Sequence, residues 1–125
     1  MDTEPVQLKH SHDYLAPDGS EIYLLANGSK GNLCQCILPT GAKSRPISHK
    51  TVEELWYFVD GEGEVWRKGL NKGRPVPVKA GTSLVIPVKT TFQFRNTGRR
   101  PLKFIIVSMP PWPGPSEAVL EAGLW

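Results

Sequence analysis

A chain of 125 residues has room for one domain and one modest core, so a two-domain enzyme is excluded. Twelve glycines and twelve prolines, well above the roughly 12% these residues ordinarily contribute, mean frequent turns, while 39% apolar and 22% charged residues mark a globular chain. The formal charge of +3 conceals an asymmetry, since residues 65–116 hold ten Lys or Arg and no Asp or Glu. Most of these lie in the turn-like stretches 67–74 and 95–103, where solvated charge is ordinary, and no recognition helix accompanies them. A nucleic-acid partner is therefore not expected. The longest uninterrupted aliphatic and aromatic run, residues 55–59, falls far short of the roughly 20 residues a spanning helix needs, so no membrane crossing is expected either. The opening residues, Met1-Asp2-Thr3-Glu4-Pro5, lack the basic stretch and apolar core of a signal peptide, and the expected location is cytoplasmic.

Taken in chain order, residues 1–20 show no clear pattern and are expected to form a flexible arm or an edge strand. From there the periodicity predicts eight short strands: 21–26, 32–38, 54–59, 63–67, 75–79, 83–87, 91–96 and 102–108, each bounded by Gly, Pro, Asn or Asp. Cys34 and Cys36 sit two apart in the second of these. Neighbours at i and i+2 share a face and cannot readily close a disulfide, and a zinc site needs more ligands, so they are expected to be free thiols in the core. Asp60-Gly61 reads as a hairpin turn. Near-regular strand spacing without intervening helices indicates an antiparallel sandwich or barrel over 21–109. The four prolines between residues 110 and 115 end the barrel near Met109, because each lacks the amide donor a central strand requires. The remaining 110–125 tail is expected to carry one short helix, 116–122, with Ser116 as its N-cap and Gly123 at its exit.

Two spacings carry chemical information. The first runs Gly41, five residues, Ile47, one residue, His49, four residues, Glu54, six residues, Gly61; the second runs Gly81, five residues, Pro87, then Phe92, three residues, Asn96. In these positions the chain resembles the cupin superfamily, whose motifs are G-x5-H-x-H-x3–4-E-x6-G and G-x5-P-x-G-x2-H-x3-N. The resemblance spans residues 31–109 and implies an all-β fold, the double-stranded β-helix or jelly-roll barrel. The segments His49-Lys50-Thr51-Val52-Glu53-Glu54-Leu55-Trp56-Tyr57 and Met109-Pro110-Pro111-Trp112-Pro113-Gly114 further resemble small stand-alone cupins. Small cupins are commonly homodimers, which implies a dimer here, with residues 1–20 or 109–125 at its interface.

The same resemblance implies three His and one Glu on a divalent metal, but Ile47 and Phe92 replace two of the histidines and Lys89 replaces a glycine. His49 and Glu54 are left as an incomplete metal-ligand set. Glu53 and Gln93 are not substitutes, because strand alternation turns them outward. The same alternation lines the pocket with Trp56, Phe58, Phe92 and Phe94, the expected ligand-binding residues, with Ile47 beside His49. Three uses of the pair are open: holding a divalent metal, metal-free catalysis in which burial raises the carboxyl pKa and a cationic imidazole partners it, or packing alone. The function expected is action on, or binding of, a small molecule, either an anionic or ring-containing substrate of an enzyme or the ligand of a non-catalytic aromatic pocket.

Overall fold

The computed structural model describes residues 2–125 and contains eleven strands, all paired antiparallel. In chain order they are β1 (Tyr14–Leu15), β2 (Glu21–Asn27), β3 (Asn32–Leu38), β4 (Ile47–His49), β5 (Glu53–Asp60), β6 (Glu62–Arg67), β7 (Val76–Lys79), β8 (Ser83–Ile86), β9 (Phe92–Asn96), β10 (Leu102–Met109) and β11 (Ala118–Leu120). One sheet has the order β1-β2-β3-β10-β5-β8 and the other β11-β4-β9-β6-β7, and together they form a jelly-roll barrel. No helix among the described residues is long and apolar enough to cross a membrane.

Alternation places the core. On β5 the side chains of Glu54, Trp56 and Phe58 are buried while Glu53, Leu55, Tyr57 and Val59 are exposed. On β10, Leu102, Phe104, Ile106 and Ser108 are the buried set. Across the barrel, Phe92 and Phe94 on β9 face them, so that Trp56 sits among Phe92, Phe94 and Phe104 at centroid distances of 5.4, 5.2 and 4.5 Å. Such tilted and edge-to-face contacts add to the burial of area that closes the sandwich. At the β5–β6 turn Gly61 has φ +85°, and a Cβ there would approach the carbonyl oxygen of Pro101 to 2.6 Å, so no other residue fits. Lys89, standing where the related motif has Gly, adopts a left-handed φ of +64°.

The helix expected over 116–122 does not form. Pro115–Glu117 makes a single 3-10 turn, and Ala118–Leu120 continues as β11, paired to β4 in the register Ala118↔His49 and Leu120↔Ile47. A two-turn helix is marginal alone, whereas the open edge of β4 supplies ready partners for the backbone. At the other end of the chain, Tyr14 pairs with Ile22 and Leu15 with Glu21, so the arm ends as an edge strand on its own barrel. Cys34 and Cys36 are buried free thiols.

Candidate functional site

Between the two sheets lies a cavity of about 40 Å³. Strands of both sheets contribute to it: Ile47 and His49 from β4, Glu54 and Trp56 from β5, Phe92 and Phe94 from β9, and Cys34, Cys36, Ile106 and Ser108 from β3 and β10. Four of its walls were not legible in the sequence. Tyr14 reaches it from β1, Asp18 and Ser20 from the following turn, and Trp112 from the proline-rich tail. Trp112 comes over the cavity because its backbone N–H donates to Asn32 Oδ1 at 2.7 Å, which ties the tail to the start of β3. Phe58 does not line the cavity; it packs on Phe104 at 4.6 Å in the solid core below Trp56.

Glu54 is 5% exposed. It accepts hydrogen bonds from Trp56 Nε1 at 2.9 Å and Ser108 Oγ at 3.1 Å. Burial raises its pKa to about 7, against the opposing pull of those two bonds. His49, 3% exposed, lies edge-on to the rings of Phe92 and Trp112 at 5.3 and 5.2 Å, and its Nδ1 has no hydrogen-bond partner. Burial lowers its pKa to about 4, with Glu117 pulling weakly the other way. The imidazole is therefore neutral near pH 7, and the cationic partner expected for Glu54 is not formed. Asp18 is also buried, with Oδ1 accepting from Ser20 N at 2.9 Å and Ser20 Oγ at 2.6 Å, and burial raises its pKa despite those bonds. Burial likewise pushes the Cys34 thiol up to about 12 and the Cys36 thiol well above its ordinary value, which leaves both unreactive.

The two lost histidine positions face each other directly, since Ile47 on β4 is paired with Phe92 on β9. An apolar pair thus fills the space where two nitrogen donors would converge, and both oxygens of Glu54 already accept hydrogen bonds from within the barrel. No group of three or more His, Cys, Asp or Glu able to hold a metal occurs among the described residues. This donor set does not fit the divalent metal of related barrels. Glu53 points outward and is exposed. Gln93 also turns away from the cavity but is buried beneath the C-terminal segment, where it donates to the Ser44 carbonyl at 2.8 Å and accepts from Leu124 N and Trp125 N at 3.0 Å.

Fold and site together define a double-stranded β-helix with a degenerate inner ligand set. A family model described as a cupin domain matches residues 35–108, and the chain belongs to the cupin family. An uncharacterized protein of Methanocaldococcus jannaschii is 33% identical over 113 residues, covering 86% of this chain and 87% of that one. Among solved structures, a predicted oxalate decarboxylase from Thermotoga maritima superposes with a TM-score of 0.70 at 22% identity, over 88% of this chain and 99% of that one. A variant of Streptomyces PAC13 solved with uridine gives a TM-score of 0.75 at 12% identity, over 97% of this chain and 92% of that one. Another structure of Pac13 describes it as a nucleoside dehydratase. At such identities the two structural likenesses establish the fold alone.

Proposed function

We propose that the barrel interior is a small-molecule site that works by proton transfer through Glu54, with His49 as a neutral hydrogen-bonding group that positions the ligand. The observation that carries this is the Glu54 carboxyl itself: it faces the cavity, is held by Trp56 and Ser108, and has a pKa of about 7. A carboxyl balanced at neutral pH is present both as acid and as base, which is what an elimination or isomerisation needs when one proton is taken from carbon and one is delivered to a leaving or arriving oxygen. His49, with a pKa near 4, is a weak base and suits binding better than proton abstraction. The nucleoside dehydratase Pac13 shows that a barrel of this shape accommodates elimination chemistry, which supports the reading at the level of the fold.

The second reading is a non-catalytic ligand-binding barrel, favoured by the aromatic walls, among them Trp112 edge-on to His49. A thermal-shift screen of small polar and ring compounds at pH 7, run on wild type, Glu54→Gln and Trp112→Ala, separates the two. Proton-transfer chemistry predicts that a hit compound is converted by wild type, as followed by NMR, and bound without conversion by Glu54→Gln. A hit that neither protein converts, and that Trp112→Ala no longer binds, supports the binding module and overturns the catalytic reading.

A further inference from the structure

Two buried carboxyls face one cavity. Asp18, in the turn after β1, is 8% exposed, and Glu54 on β5 is 5% exposed. No lysine or arginine lines that cavity. The one guanidinium that acts electrostatically on Asp18 is that of Arg45, an exposed residue whose Nη1 lies 3.4 Å from the Pro17 carbonyl oxygen. The other titratable groups around the cavity are Tyr14, Cys34, Cys36 and His49, and burial keeps each of them uncharged near pH 7. An anionic ligand would meet two acids and no cation there, which argues against the anionic substrate expected from the sequence.

A second, independent feature points to a ligand. His49 is 3% exposed and lines the cavity, yet its Nδ1 has no partner, and an orphaned buried polar atom calls for a group that bonds to it. A neutral imidazole offers one acceptor nitrogen. With both carboxyls ionised, as a bound cation favours, and the imidazole proton on Nε2, all three groups accept, so the complementary group is one that only donates. An ammonium has three donors and no acceptor, and its charge is further favoured beside aromatic rings, which here are those of Trp56, Phe92 and Trp112. Deepening the reading of the interior as a small-molecule site, and resting on it, we propose that the cavity holds the protonated nitrogen of a small amine between Asp18 and Glu54, with His49 accepting one of its N–H groups. A cavity of about 40 Å³ has room for roughly three or four heavy atoms, so a larger amine requires part of the lining to move.

The Trp56 indole N–H donates to Glu54, so its assigned NMR resonance reports on that carboxyl. ¹⁵N-labelled protein is titrated at pH 7.5 and constant ionic strength with propylammonium, propan-1-ol and propionate. The expected result is a saturable shift of the Trp56 indole signal by propylammonium, with an apparent affinity at least tenfold above that of propan-1-ol, and no saturable shift with propionate. Asp18→Asn is expected to weaken propylammonium at least tenfold and leave propan-1-ol unchanged. Should Asp18→Asn fail to give a native spectrum, Glu54→Gln, followed through the same indole, is expected to abolish the preference for the amine over the alcohol. Equal binding of amine and alcohol, or binding of propionate, overturns the amine assignment and leaves the small-molecule site standing. If none of the three compounds moves the indole signal, the amine assignment falls, and the small-molecule site is decided by the thermal-shift screen alone.

Discussion

Glu54 holds its proton more tightly in the folded barrel, with a pKa of about 7, than in the unfolded chain, where 4.5 applies. Both states are protonated below that lower value, so burial is least costly there. As pH rises toward 7 the unfolded chain releases its proton first, and above 7 the folded state carries the whole cost, on the order of 3 kcal/mol at 1.36 kcal/mol per pH unit. Glu54→Gln keeps the acceptor for Trp56 and offers an amide to Ser108 without the charge. Its urea unfolding free energy is expected to match wild type at pH 4.5 and to exceed it by about 2–3 kcal/mol at pH 8. An equal difference at both pH values would mean that Glu54 titrates normally and is no candidate for proton transfer. His49 contributes with the opposite sign, because its folded pKa is depressed from 6.5 to about 4: stability is intact above 6.5 and is lost as pH falls toward 4. The two slopes offset one another in wild type between about 4.5 and 6.5, so the Glu54→Gln variant is also expected to lose stability as it is acidified through that window.

The tail from Pro115 to Leu120 acts on the site from outside the barrel. Glu117 accepts hydrogen bonds from Thr51 N, from Thr51 Oγ1 at 2.6 Å and from Val52 N at 2.8 Å, and so grips the turn that joins His49 to Glu54. Burial raises the Glu117 pKa, but these bonds outweigh it and hold the carboxyl below its ordinary value. Glu117→Ala leaves buried donors unsatisfied and is expected to cost roughly 2–4 kcal/mol. Amide exchange at Thr51 and Val52 is the specific readout; unchanged protection there would show that the turn holds itself. None of this was legible in the sequence, because the cradle joins residues 66 positions apart, and Ser116-Glu117-Ala118 reads locally as a capped helix. The longer strands were legible from period-two alternation, as on β5 and β10, whereas β1, β4 and β11 have two or three residues and carry no period. The same limit applies to the site. Alternation identified the face that Glu54, Trp56 and Phe58 share, but it gives no depth, so Phe58 looked equivalent to Trp56. Asp18 lay in the one stretch without a pattern, and only pairing of β1 on β2 brings its turn to the cavity.

At the scale of the whole molecule, the tail is already used on its own barrel. β11 completes one sheet, Gln93 holds the backbone of Leu124 and Trp125, and the Arg95 guanidinium sits 4.2 Å from the Trp125 ring centroid. A dimer contact through residues 109–125 would therefore use the outer side of the tail, where Leu120 and Leu124 are exposed, and leave these bonds in place. The outer face of the six-stranded sheet has no such cover. Leu55 and Tyr57 are 45% and 51% exposed on β5, flanked on β10 by the half-buried Ile105 and Val107 and on β8 by Val85. Along this apolar strip Glu53 lies at one end, opposite Met109, and Lys103 at the other, opposite Asp60. A two-fold axis lying in the plane of this face and across its strands would set Glu53 of each copy near Lys103 of its mate, so the charges at the ends of the strip complement themselves. A second copy of the chain is therefore the expected occupant, and sedimentation at micromolar concentration should give a dimer. Tyr57→Asp, whose side chain touches neither core nor cavity, is expected to yield a monomer with an unchanged near-UV spectrum. A wild-type monomer would remove the basis for the dimer, and a dimer that survives Tyr57→Asp would place the contact elsewhere, with residues 2–13 the next segment to truncate.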